Sequence, residues 1–210
     1  MVSIVSRDRG YHVFLGRLLL YGLILAETYT ILLVLGADRV SGFLEALMIT
    51  MVYLVGDKTN IGLTRRIRVN VAGFMAPLIF SIEILIRGFI AGIAINALSF
   101  ILLLAINAFI IVLASVYVSG TGIIVDMIPP LVSSIGASIL LGSLNNLGLY
   151  TYVYAFPLTF YSVIIGVDIM GIVRYKASRM VIGGKGVLDA LVLYPYLVPP
   201  LTILLYMLSQ

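Results

Sequence analysis

Nine acidic residues occur in this 210-residue chain, and six of them sit in or at the ends of long apolar runs: Glu27, Glu45, Glu83, Asp126, Asp168 and Asp189. A charge at the centre of a bilayer costs about 2.5–3.5 kcal/mol on insertion scales, so carboxyls in such places are candidates for function. Asp168 and Asp189 form a pair. One closes an apolar run and the other opens the next, so the intervening loop (about 170–186) returns both to the same membrane face. Two carboxylates within hydrogen-bonding reach share a proton, and such a dyad can activate a water for attack on a peptide carbonyl. Gly183, Gly184 and Gly186, just before Asp189, let the backbone approach a substrate or a neighbouring helix closely. The same residues also carry a structural reading, in which Asp189 caps the last helix and Asp168 pairs with Arg174 or Lys176.

The remaining acids have partners within reach. Glu83 lies four residues before Arg87, one helical turn away on the same face, where an ion pair is natural. Glu27 and Glu45 can pair with Arg17 or Arg39, or hydrogen-bond Ser, Thr and Tyr between helices. Asp126, beside Pro129-Pro130, fits an N-terminal cap. Intramembrane acids such as Glu27, Glu45 and Asp168 would equally serve a small proton or cation transporter. The chain has no cysteine and one histidine, His12, which excludes Cys-bound and multi-His metal sites within one chain. No Walker motif, dinucleotide fingerprint or haem-ligand pair is present, so neither a cofactor nor a metal is expected.

The elements that must position these carboxyls follow from composition. Hydrophobic residues make up 62% of the chain and charged residues 10%, with a mean hydropathy of +1.19. Soluble domains have roughly 45–50% and about 25%. So few charges cannot cover a water-soluble surface, which excludes a soluble enzyme, a disordered tail and a nucleic-acid-binding domain. The sequence predicts an all-α, polytopic transmembrane bundle of about seven helices, forming a single transmembrane domain over residues 1–210. Its expected partners are the lipid bilayer and a membrane-protein substrate or partner helices, with no nucleic acid, and its expected place is the cell membrane as a multi-pass protein.

Seven apolar runs carry that expectation, at about 13–36, 40–55, 69–86, 89–118, 123–141, 149–169 and 187–208. The first is too long for the h-region of a signal peptide and reads as a retained helix. The fourth, 30 residues without a charge, is one long tilted helix or a helix plus an interfacial turn. Pro129-Pro130 interrupts the fifth, which either crosses fully or is re-entrant. Tyr150, Tyr152 and Tyr154 open the sixth as an aromatic belt. Pro195, Pro199 and Pro200 predict a kinked or partly unwound seventh. With the N-terminus cytoplasmic, 11 basic residues fall inside (Arg7, Arg9, Arg17, Lys58, Arg65, Arg66, Arg68, Arg174, Lys176, Arg179 and Lys185), and only Arg39 and Arg87 fall outside. The polar loop Gly56-Asp57-Lys58-Thr59-Asn60 is a solvated turn or a face closing over the inner mouth. Gly88-x-x-x-Gly92 is a candidate close helix contact.

From about Gly56 onward the chain resembles a family of uncharacterised multi-pass membrane proteins of archaea and bacteria, known as a domain of unknown function. The segments that carry the resemblance are Val69-Asn70-Val71-Ala72-Gly73 with Ala76-Pro77, Val118-Ser119-Gly120-Thr121-Gly122-Ile123, and Ile128-Pro129-Pro130-Leu131. The most specific are Ile165-Gly166-Val167-Asp168-Ile169 and Val181-Ile182-Gly183-Gly184-Lys185-Gly186-Val187-Leu188-Asp189. The family usually reads Gly-Ala-Asp and Ile-Gly-Gly-Ala-Gly-Thr-Phe-Asp-Gly there. This resemblance implies membership and no established activity. A more distant similarity joins Asp168 and Gly184-x-Gly186-x-x-Asp189 to intramembrane aspartyl proteases of the presenilin and prepilin-peptidase type. In those proteins one Asp lies on a helix and the other in a Gly-x-Gly-Asp motif. Here the Asp follows the second glycine by three residues rather than one, and the Pro-Ala-Leu motif of presenilins is absent. Three function classes follow: an intramembrane aspartyl-protease-like enzyme using Asp168 and Asp189, a small transporter or channel, and a non-catalytic subunit or assembly factor of a membrane complex.

Overall fold

A computed structural model describes residues 3–64, 67–118, 122–169, 173, 180–185 and 188–208. Seven long helices make up most of it: α1 (Ser3–Val34), α2 (Arg39–Gly56), α3 (Ala76–Ile90), α4 (Ala97–Leu113), α5 (Ile128–Asn145), α6 (Tyr150–Val163) and α7 (Ala190–Leu208). A π-helical turn, Val71–Met75, leads into α3, and another, Ile164–Ile169, extends α6. Six of these helical stretches are long and apolar enough to cross a membrane, and α4 is a shorter apolar helix of 17 residues. The chain is therefore a helical membrane protein.

The chain breaks where polar caps and prolines stop or start helices. Asp38 accepts hydrogen bonds from the Val40 and Ser41 N–H groups at 3.0 and 3.1 Å and so starts α2. Asn96 does the same for α4 through Leu98 and Ser99. The 89–118 run is neither one long helix nor a helix with a single turn. It holds the end of α3, the turn that Asn96 closes, α4, and a short strand. Pro129 and Pro130 mark a break in the fifth run, which begins as a short strand (122–125), but they do not interrupt α5 itself. They occupy the first turn of α5, where the missing N–H is harmless, and α5 then runs its full 18 residues. Nor do Pro195, Pro199 and Pro200 unwind the last run, because α7 is continuous around them and Pro195 and Pro199 are buried.

One end of the bundle carries short strands. β1 (Asn60–Gly62) pairs antiparallel with β2 (Ile67–Asn70), and β2 pairs in parallel with β5 (Met180–Ile182), Val69 lying opposite Ile182. A separate hairpin, β3 (Ser115–Val118) with β4 (Gly122–Val125), joins α4 to α5. The β2–β5 ladder brings the second and sixth inter-helix connections to one end, so an even number of crossings separates them. Arg17 of α1 reaches Asp57 at this same end, at 3.1 Å. At the other end, Asn145 donates to Ser99 and accepts from the Asn96 N–H, tying α5 to the start of α4.

The helix α6 is the axis of the bundle. Of Tyr150–Val163 only Tyr150 and Tyr161 are not buried, the expected state of a helix that is apolar on every side. Tyr152 and Tyr154 are thus core residues rather than an interfacial belt, the two being 4% and 2% exposed. Phe80 of α3, Phe156 of α6 and Tyr196 of α7 pack edge to face around this axis, with ring centroids about 5 Å apart at Phe80–Phe156 and Phe156–Tyr196. The outer faces of α2 and α4 present Leu44, Met48, Ile101, Leu102 and Phe109, a surface suited to lipid.

Candidate functional site at the strand-bearing end

Asp168 lies in the π-helical turn that ends α6, and it is 6% exposed. A π turn adds a residue to the helical ladder and re-aims the side chains around it. Gly166 lets this turn press on α4. A Cβ there would come within 2.7 Å of the Ala108 carbonyl oxygen and 2.9 Å of the Ile111 Cβ. Asp189 precedes α7 directly and is half-buried. It accepts hydrogen bonds from the Leu191 N–H at 3.2 Å and the Lys185 N–H at 3.3 Å. Burial holds its carboxyl above the ordinary carboxylate range, and those two N–H groups and the Lys185 charge act against that rise.

The two carboxyls stand at the facing ends of successive helices, Asp168 in the turn that ends α6 and Asp189 just before α7. Among the described residues, no hydrogen bond and no ion pair reaches the Asp168 carboxyl. Asp189 does cap α7, in keeping with its structural reading. Arg174 and Lys176, the proposed partners of Asp168 in that reading, lie outside the described residues. So do Gly186, Arg65, Arg66, Arg179, Ser119, Gly120 and Thr121.

A second π-helical turn fixes the depth of the Asp189 loop. Gly183, with φ at +68°, packs its backbone directly on that of Gly73, and a Cβ on either residue would overlap the other's main chain. Gly184 is exposed, with its nearest neighbour the Val181 carbonyl. Gly73 in turn is held by Asn70, which is 1% exposed: the Gly73 N–H donates to Asn70 Oδ1 at 2.7 Å. Asn70 Nδ2 donates to the Asp57 carbonyl at 3.0 Å and to Asn60 Oδ1 at 3.2 Å. The Gly56–Asn60 loop is therefore a built part of this end, and the Asp57 side chain is only 6% exposed against Arg17.

The intramembrane glutamates are not part of this cluster. Arg87 bridges Glu83 (2.7 Å) and Glu45 (2.5 Å), so Glu45 pairs across helices with Arg87 rather than with Arg17 or Arg39. Glu27 accepts a hydrogen bond from the Tyr152 hydroxyl. Asp126 accepts from the Ile128 N–H at 3.3 Å but lies one residue ahead of the N-cap of α5, which is Met127 rather than Asp126. Gly88 makes its close approach to the Tyr154 hydroxyl, while Gly92 faces open space, so the Gly88–Gly92 spacing is not a helix-packing motif here. No group of three or more His, Cys, Asp or Glu that could hold a metal occurs among the described residues.

Sequence reasoning read Tyr152 as interfacial and Asp57 as part of a polar loop, and it gave Asn70 no role of its own. Asn70 and Gly73 do fall within a segment of the family pattern, and that was the available signal. A family model described as a protein of unknown function matches residues 28–207. No curated protein and no solved structure matches the chain.

Proposed function

This chain belongs to the DUF1614 family of proteins of unknown function, and we propose that it is an aspartyl hydrolase that cleaves peptide bonds of membrane proteins near the cytoplasmic border of the bilayer. The observation that carries this reading is the placing of Asp168 at the end of α6 and Asp189 at the start of α7, with one carboxyl buried and the other half-buried. Asp189, stabilised as an anion by the Lys185 and Leu191 N–H groups, is the general base. It takes a proton from water as the water oxygen bonds to the scissile carbonyl carbon. Asp168, which no described hydrogen-bond donor reaches, is the general acid and protonates the carbonyl oxygen. Collapse of the resulting gem-diol breaks the C–N bond, with the proton held by Asp189 passing to the leaving nitrogen and one gem-diol hydroxyl returning its proton to the Asp168 carboxylate, which restores both groups.

The test is to express the full chain, Asp168→Asn and Asp189→Asn in cells and to map new peptide termini in membrane proteins. The expected result is a set of termini within or beside membrane spans that both variants lose while keeping the elution profile of the unmodified chain in detergent. Termini that persist in both variants, or none with the unmodified chain, would overturn the proposal and leave the non-catalytic subunit as the better reading.

A further inference from the structure

The hydrolase reading leaves Glu27 unused. This carboxyl lies on α1 ten residues beyond Arg17 and seven before Val34, about 15 Å and 10 Å at 1.5 Å per residue, and so within the hydrocarbon layer. No Lys, Arg or His pairs with it among the described residues. Its hydrogen-bond donor is Tyr152 of α6, and its charge is felt at Tyr196 of α7.

Beside it runs a line of buried hydroxyls. Thr28 Oγ1 lies 3.2 Å from the Tyr196 hydroxyl, which in turn donates to the Tyr53 hydroxyl of α2 at 3.2 Å. All three side chains have no exposed surface. Tyr53 stands four residues before Asp57, about 6 Å from the strand-bearing end, and Tyr152 stands in the first turn of α6 at the other end. The groups facing Glu27 and this line are thus Tyr152, Tyr196 and Tyr53, one from each of three helices packed on α1. Each hydroxyl can donate and accept at once.

We propose that this chain passes protons across the membrane along Tyr53, Tyr196 and Thr28, with Glu27 as the proton-binding site and Tyr152 as the group that exchanges with the opposite face. Each oxygen takes up one proton as it releases another, so one proton crosses per passage and nothing is oxidised or reduced. The Thr28–Tyr196–Tyr53 line and the Glu27–Tyr152 pair are the two hydrogen-bonded parts of this path, and the proton passes between them where α1 packs on Tyr196. Protonation removes the uncompensated charge from the hydrocarbon layer, which is why a carboxyl there binds a proton rather than standing ionised.

The test uses the purified full chain in phosphatidylcholine–phosphatidylglycerol vesicles containing a pH-sensitive dye, with a potassium gradient and valinomycin supplying the driving force. Vesicles holding the chain should change internal pH faster than empty ones. Glu27→Gln and Tyr196→Phe should each slow this by about tenfold or more, equivalent to about 1.4 kcal/mol on the barrier. Tyr150→Phe, outside the line, should conduct as the unmodified chain does. Glu27→Asp, which keeps the carboxyl, should conduct faster than Glu27→Gln and so separate the loss of a proton site from the loss of the fold. Flux no faster than in empty vesicles, or Glu27→Gln conducting like the unmodified chain, would overturn the proposal. The hydrolase reading stands or falls separately, because Asp168 and Asp189 take no part in this flux.

Discussion

Substituting alanine at Gly73 or Gly183 should destabilise the protein far more than at any lipid-facing glycine. At Gly73 the new Cβ would fall on the Gly183 main chain, with the Gly183 carbonyl carbon 2.8 Å away and its Cα 2.9 Å away. Backbone atoms cannot move aside by changing rotamer, so the overlap is relieved only by separating the π-helical turn from the Asp189 loop. Overpacking of this kind costs about 1–3 kcal/mol. Gly183→Ala adds a left-handed backbone at φ +68°, for about 1–2 kcal/mol more, and so about 2–5 kcal/mol in total. For a chain of this size each kcal/mol lowers the melting temperature by about 2–4 °C. Thermal unfolding of the detergent-solubilised chain should therefore show losses of about 2–12 °C for Gly73→Ala and about 4–20 °C for Gly183→Ala. The double variant should fall short of the sum, because both changes open one contact. Gly22→Ala is the control: it lies within α1 with open space around it, and alanine there should be neutral or stabilise by about 0.5–1 kcal/mol. If Gly73→Ala and Gly183→Ala melt with Gly22→Ala, or if the double variant is additive, the backbone contact does not hold the Asp189 loop.

Two further outcomes follow from the ion pairs and caps. Arg87→Gln leaves Glu45 and Glu83 without their cation; since Arg87 is 33% exposed, the loss should be about 1–3 kcal/mol, below that of a fully buried pair. Adding Glu45→Gln should restore part of that stability in the same melting assay, and no restoration would refute the bridge. At Asp38 the Ser41 hydroxyl and then the Ser41 N–H hold the carboxyl below the ordinary range. A lowered value in the folded chain gives stability that is present above the unfolded value near 4 and is lost as pH falls through the folded value. The unmodified chain should therefore outlast Asp38→Ala at neutral pH by a margin that shrinks below about pH 4. A margin independent of pH would refute the assignment.

The helices were legible because each needs a long apolar run, and hydropathy reads such runs directly. The strands were not. β1 and β5 are three residues each, too short to show an alternating pattern, and they are defined by pairing with β2 more than a hundred residues from β5. The same limit hid the role of Tyr152 and Tyr154: a tyrosine near a helix end looks interfacial unless the helix is known to be the central one. Asp168 and Asp189 could be placed at one end from chain parity alone. Their support could not, because Gly73, which Asn70 holds through a local hydrogen bond, acts through a contact with a loop far along the sequence. The prolines of α5 and α7 were only partly legible for a related reason, since their effect depends on whether the carbonyls and N–H groups they disturb fall at a helix start or among packed neighbours.

The central place of α6 also constrains the order in which the protein can be assembled. The helix that touches α1, α3, α4, α5 and α7 follows five of the described helices along the chain and so leaves the ribosome after them. The first five therefore enter the membrane without the segment that unites them, although α1 can already pair with α2, and α4 with α5. Final packing must wait for Tyr150–Val163 and then for α7, its most extensive neighbour. A nascent chain paused before residue 150 would hold inserted helices but no finished interior, which makes this stage the point at which quality control should meet the protein.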